Sequence, residues 1–402
     1  MRRLRSFLFY CHLTAGCLAG LVILVMSATG ATLAMKPQIL NVIERNVRFV
    51  TPQRTPRQSP SALLAAARAA RPETAPVTIA IDRDPSAAAA VGFGAAAPTL
   101  YVDPYTGSVL GEGSAPAQSF FRTMENWHRW LGAEPSFRPV TRWLTDASNL
   151  VFLGLALSGL YLWWPHAWTP QHTRAILFFR RGVSGRARDF NWHNVIGFWC
   201  MAAIVVMTAT GVVMSYPWAN ALLYRVTNSP LPTPGGRAAA PAQGPREGRG
   251  GAGERPREQA AGQSGDAPAL DLDRLWAAAE AQMPTWRVIS LRIPDRAGAA
   301  AGFTLTNGAS WNPFARSQLT LDSATGAIRQ WQPYEGQSLG QRARGWVRFG
   351  HTGELGRWPG QLVAGLACVG GTFLVWTGLS LAIRRFRVWL SSAASRRVQR
   401  VA

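Results

Sequence analysis

His12 is followed by Gly16 and by Met26-Ser27-Ala28-Thr29-Gly30, and the same pattern returns at the same intervals as His193, Gly197 and Met207-Thr208-Ala209-Thr210-Gly211. Imidazole is the commonest metal-ligating side chain. Both copies sit in long apolar runs, where hydrocarbon does not solvate a titratable group and such residues tend to carry function. A second pair stands further on. Asp103-x2-Thr106-Gly107 is echoed by Asp322-x2-Thr325-Gly326, and each is followed by a histidine, His128 in ENWHRWLG and His351 in RFGHTGELG, ahead of another apolar run. Four histidines therefore occupy matching places in two repeats.

Depth suggests the pairing. His12 and His193 lie a turn or two inside the starts of the first and third apolar runs, whereas His128 and His351 precede the second and fourth. A twofold relating the repeats brings His12 to His193 and His128 to His351. With no carboxylate or thiolate apparent close by in the span, two imidazoles are too few for tetrahedral zinc. They are the right number for the two axial positions of a haem iron. Gly16 and Gly197, at i+4 from their histidines and so on the same helix face, leave room for a flat macrocycle. No Cys-x-x-Cys-His occurs, so the expected cofactor is non-covalent haem b, two per chain, with His12, His193, His128 and His351 as iron ligands. One histidine near a helix end is ordinarily a packing or interfacial residue; its duplicate in register is what argues for a site. His166 and His172 have no repeat partner and read as surface residues of a loop.

The elements that must hold these histidines are four helices, at about residues 7–35, 146–165, 190–216 and 360–383, each able to cross ~30 Å of hydrocarbon. Each repeat reads as helix, β-rich module, histidine, helix. The expected organisation is an N-terminus and first helix over 1–35, a module over 36–145, a basic loop over 166–189, a second module over 217–359 and a basic tail over 384–402. Residues 229–269, rich in Pro, Gly, Ala and charge, are expected to be a disordered insertion. Strand-like runs (VTIAI, TLYV, WRVISLRI, FTLT, QLTL), a short helix in SALLAAARAA and another carrying Trp276 make each module a small α+β unit. Asp103 and Asp322 read as turn residues, and Met26 and Met207 as helix packing.

Arginine placement sets the orientation. Arg2, Arg3 and Arg5, the run from Arg174 to Arg188, and the run from Arg384 to Arg400 carry most of the formal net charge of +21. By the positive-inside rule, both termini and the middle loop are cytoplasmic and both modules face outward. Charge beside membrane spans is explained by orientation and anionic lipid, so nucleic acid is not the expected partner. The apolar run after RRLRS is too long for a signal peptide and reads as an anchor. Cys11, Cys17, Cys200 and Cys368 all fall in the expected spans, which leaves no disulfide or dithiol for the outer modules.

Taken together, RSFLFYCHLTAG with MSATG, NWHRWLG, SGLYLWWP, FNWHNVIGFW with MTATG, and HTGELG followed by WTGLSLAIRR resemble the PepSY-associated transmembrane proteins of Gram-negative inner membranes. The resemblance covers nearly the whole chain. It implies four helices with periplasmic PepSY-like modules, and some members look like di-haem ferric-siderophore reductases in which His12, His193, His128 and His351 match the motif histidines. The departures are the insertion after Ser229 and a first module short of strong strands.

The expected function is transfer of electrons across the inner membrane to a periplasmic acceptor such as ferric siderophore iron. No nucleotide fingerprint follows a strand, so the donor is external, a quinol or a cytoplasmic reductase. The rival reading is a haem-free anchor presenting PepSY modules that bind or inhibit peptidases. A transporter subunit is a poor third, because the spans offer few charges for a polar pathway.

Overall fold

The computed structural model describes residues 2–94, 97–165, 169–232, 271–294, 299–310, 312 and 314–401. From residue 233 on, the expected insertion lies outside the described residues, as do His166 and the side chain of His172. The chain divides into two compact units: 1–36, 123–223 and 344–402 form one, and 37–122 with 224–343 form the other. The division falls ahead of the boundaries expected at 145 and 359, so His128 and His351 belong to the helical unit.

That unit is a four-helix bundle of Arg2–Ala34, Arg138–Trp163, Gly185–Ser215 and Arg357–Val401. All four are long and apolar enough to cross a membrane. Their ends follow local chemistry. The second stops at Trp163 ahead of Trp164-Pro165, and the third at Ser215 ahead of Tyr216-Pro217, because the residue before a proline is driven out of the helical region. No such stop follows Ile383. The fourth helix runs on through its arginines to Val401, well past the expected span. Each helix packs against two others: the first and the third both touch the second and the fourth. Small residues permit this closeness. A Cβ on Gly371 would lie 2.9 Å from Ser27 Oγ, and one on Gly211 would lie 2.8 Å from Asn149 Nδ2. Leu18, Leu21, Leu157, Val363 and Leu366 point outward and are exposed, as lipid-facing side chains are.

Among the described residues, the second unit holds one sheet of eight strands: β1 (Thr78–Asp82), β2 (Ala89–Gly92), β3 (Leu100–Val102), β4 (Val109–Glu112), β5 (Trp286–Arg292), β6 (Ala300–Asn307), β7 (Arg316–Asp322) and β8 (Ile328–Gln332). The order is β4-β3-β2-β1-β5-β6-β7-β8, antiparallel throughout. The two modules are thus halves of a single sheet, joined where β1 and β5 pair from Thr78↔Arg292 to Asp82↔Val288. Pairing there removes an unpaired strand edge from each half. Strand periodicity in the sequence identifies which residues face inward, but not which strand lies alongside.

Each half contributes one helix to the core. Pro60–Ala70, capped by Ser59 with proline at its first position, brings Leu63, Leu64 and Ala67; Leu272–Gln282, capped by Asp271, brings Leu275, Trp276 and Ala279. They close over Ile79, Val91, Ile289, Phe303, Leu319 and other inward residues of the sheet. Asp103 and Asp322 are turn residues as expected. The Asp322 carboxylate accepts from the amides of Ala324 and Thr325, both at 2.9 Å, and Gly107 and Gly326 take φ of 72° and 71°. β2 is the strand that the sequence hid, because Ala-Ala-Val-Gly has little strand propensity of its own.

Candidate functional site

The bundle brings the four histidines together in the expected pairs. The rings of His12, on the first helix, and His193, on the third, have centroids 6.5 Å apart with planes at 83°. Those of His128, in the helix Ala115–Trp130, and His351, closing the helix Leu339–His351, are 6.4 Å apart at 62°. The two pairs sit at opposite ends of the first and third helices. His128 meets the first helix at Met26, fourteen residues beyond His12, which is about 21 Å of helix.

One nitrogen of every ring is engaged, and in all four it is Nδ1. His128 Nδ1 lies 2.9 Å from the Met26 carbonyl oxygen and 3.1 Å from Thr29 Oγ1; His351 Nδ1 lies 2.8 Å from the Met207 carbonyl and 3.3 Å from Thr210 Oγ1. A carbonyl can only accept, so Nδ1 donates in both. His12 Nδ1 lies 2.9 Å from Ser158 Oγ and His193 Nδ1 3.0 Å from Thr377 Oγ1. The Thr377 hydroxyl gives its proton to the Phe373 carbonyl at 2.7 Å, and Ser158 gives its own to the Leu155 carbonyl at 3.3 Å. The Thr377 hydroxyl is left to accept, so His193 also carries its proton on Nδ1; the His12–Ser158 bond stands at the equivalent place in the first repeat. The lone pair of His128, His351 and His193 then resides on Nε2, which is the tautomer of a metal ligand oriented by its other nitrogen.

The donor set suits a metal bound from two sides. Two imidazoles on opposite sides of one ion, at about 2 Å from each nitrogen, have ring centres roughly 6 Å apart. Both pairs have that spacing. Among the described residues no three His, Cys, Asp or Glu side chains converge, so each pair consists of two imidazoles alone. The four cysteines are free thiols. A Cβ on Gly16 would meet nothing within 4 Å, and one on Gly197 would touch Leu374 at an ordinary 3.5 Å, so neither glycine is required by the packing of the helices.

Sequence reasoning missed the residues that hold the rings, although all lie in the repeated motifs. Ser158 and Thr377 open Ser-Gly-Leu-x-Leu and Thr-Gly-Leu-x-Leu, and Met26, Thr29, Met207 and Thr210 lie within Met-(Ser/Thr)-Ala-Thr-Gly. The methionines act through their backbone oxygens. Gly159 and Gly378 pass close to the first pair: a Cβ on either would stand 3.4 Å from Cε1 of His12 or His193. The motifs are therefore a twofold arrangement in which one helix supplies a histidine and its neighbour the group that fixes its tautomer. No curated protein matches the chain. The family of the PepSY-associated TM region matches residues 9–385, which takes in all four histidines and every one of their partners, and the chain belongs to that family.

Proposed function

We propose that this is a haem-binding electron-transfer protein of the bacterial inner membrane, with His12 and His193 holding one b-type haem and His128 and His351 a second. The observation that supports it is the double pairing: four imidazoles, each with Nδ1 committed, stand in two pairs at 6.5 and 6.4 Å. When bound, haem iron supplies a one-electron couple. The chain's own contribution is orientation and exclusion. Ser158, Thr377 and the carbonyls of Met26 and Met207 hold each Nδ1–H, so the ligand nitrogens need no rearrangement. The apolar helices keep water from the pairs, and about 21 Å of helix sets their separation.

The arginine-rich termini and middle loop favour an arrangement in which the His12–His193 pair is on the cytoplasmic side and the sheet in the periplasm. Electrons then come from a quinol or a cytoplasmic reductase and leave at the His128–His351 end. Ferric iron held by a siderophore is the acceptor that we favour, since reduction to Fe(II) weakens hard-oxygen chelation and releases the metal. A reduced-minus-oxidised spectrum of the detergent-purified chain, with a pyridine haemochrome assay, tests the reading. Two b-type haems per chain with sharp low-spin bands support it. No haem after expression with ample haem overturns it in favour of a membrane anchor that presents the sheet to periplasmic peptidases.

A further inference from the structure

The two histidines of the first pair are not held alike beyond their immediate partners. One turn ahead of His193 on the third helix stands Asp189, whose side chain is only 2 % exposed. One oxygen accepts from Arg188 through Nε at 3.0 Å and Nη2 at 2.9 Å. The other accepts from Ser380 Oγ at 2.7 Å, with Arg384 Nη2 at 3.7 Å. Ser380 and Arg384 are on the fourth helix, and Ser380 is three residues beyond Thr377, the group that fixes His193. The guanidinium of Arg188 also lies over Trp192 and Trp376, one ring from each helix, at 5.5 and 5.9 Å. By the register of the repeats, the positions equivalent to Asp189 and Ser380 are Leu8 and Tyr161, neither of which can supply a carboxylate. At that level Arg5 of the first helix instead donates from Nη2 to the Leu162 carbonyl of the second at 2.6 Å.

We infer that Asp189 is a positioning residue for His193: by clamping the third helix to the fourth through Ser380 and the two arginines, it sets the register at which Thr377 Oγ1 meets His193 Nδ1. A buried carboxylate is costly unless it is fully paired; here Arg188 pairs with it from its own helix, while the Ser380 hydrogen bond and the Arg384 ion pair cross from the ligand's helix to the partner's helix within one turn of both. Asp189 touches neither ring, so it acts only through the hydrogen bond that Thr377 makes. The inference rests on the haem reading for its functional meaning, but the hydrogen bond itself exists with or without haem.

A double-mutant cycle with Asp189→Ala and Thr377→Val tests it, read in two ways on the full chain. In haem-loaded protein, low-temperature paramagnetic resonance follows the low-spin ferric signals. Asp189→Ala shifts one of the two signals and leaves the other, and in the Thr377→Val background it produces no further shift. Ser380→Ala, which keeps the carboxylate and both arginines, shifts the same signal. In haem-free chain with 15N-labelled histidine in nanodiscs, Asp189→Ala mixes the tautomers of His193 alone. The inference is overturned if Asp189→Ala leaves both signals and the His193 tautomer as in the parent, or if its shift is the same size with and without Thr377. Absence of haem from the parent chain overturns the electron-transfer reading, and the tautomer measurement then decides the positioning role by itself.

Discussion

His193 Nδ1 and Thr377 Oγ1 lie 3.0 Å apart, and the threonine hydroxyl, having already given its proton to the Phe373 carbonyl, can only accept. That bond joins the third helix to the fourth, and its counterpart between His12 and Ser158 joins the first to the second. Thr377→Val keeps the shape and removes the acceptor, so the imidazole loses its preference for the Nδ1–H tautomer. Outer partners of this kind are worth about 10- to 100-fold in metal affinity. The variant should lose haem of the first pair by a factor in that range on titration with apo-myoglobin as competitor. Thr377→Ser should retain it.

The two pairs share no histidine, which makes stoichiometry informative for the proposed haems. Replacing His12 or His193 by alanine should lower the pyridine haemochrome count from two per chain to one, and replacing both should lower it no further. The same holds independently for His128 and His351. A count of zero after His12→Ala would mean that the two sites fill only together.

The sequence carried the pairing but not the supports. His12 with His193 and His128 with His351 could be matched because the repeat preserves type and interval over many residues. Ser158 and Thr377 were visible as part of the repeat, yet nothing in one dimension says which helix they face; only the packing of first on second and third on fourth supplies that. Likewise the strands of the modules other than β2 could be read from their alternation, while the β1–β5 seam could not, because antiparallel pairing between distant segments leaves no local trace. The short β2 was masked by alanine, and the end of the fourth helix by the assumption that a helix stops where its apolar run does.

Gly353 explains the glycine of His-Thr-Gly-Glu-Leu-Gly. It takes φ of 74°, and a Cβ there would stand 2.5 Å from the Gly360 carbonyl oxygen and 2.8 Å from Ala364. Left-handed backbone costs a non-glycine residue about 1–3 kcal/mol, and here backbone also blocks relief. Gly353→Ala should therefore lower the melting temperature, and should remove haem from the His128–His351 pair before the other, because this turn directly follows His351. Spectra of the two haems during mild heating check the order of loss.

Acid should weaken the sheet through Asp322. The Thr325 amide, then the Arg329 guanidinium and the Ala324 amide, hold its carboxyl well below the usual carboxylate range. A carboxylate depressed on folding stabilises the native state above its unfolded value of about 4 and ceases to do so as pH falls toward the folded value. The loop is in water, so screening keeps the effect modest. Between roughly pH 4 and 2, Asp322→Asn should flatten the loss of stability seen in thermal scans of the full chain. An unchanged profile would mean that other carboxylates dominate acid unfolding.

The shared sheet makes the two modules one cooperative body. Ile289 on β5 is fully buried and is the partner of Ile81 across the seam. Truncating a buried isoleucine to alanine costs about 2–5 kcal/mol. If β1–β4 and β5–β8 were independent, Ile289→Ala would loosen only the second half. With five residue pairs across the seam and both helices contributing to one core, hydrogen exchange should instead quicken in 78–112 as well as in 286–332, by comparable factors. Any molecule that docks on one half and orders it would on the same grounds stabilise the other, since neither half can open along the seam without exposing Ile79, Ile289 and Leu291 to water.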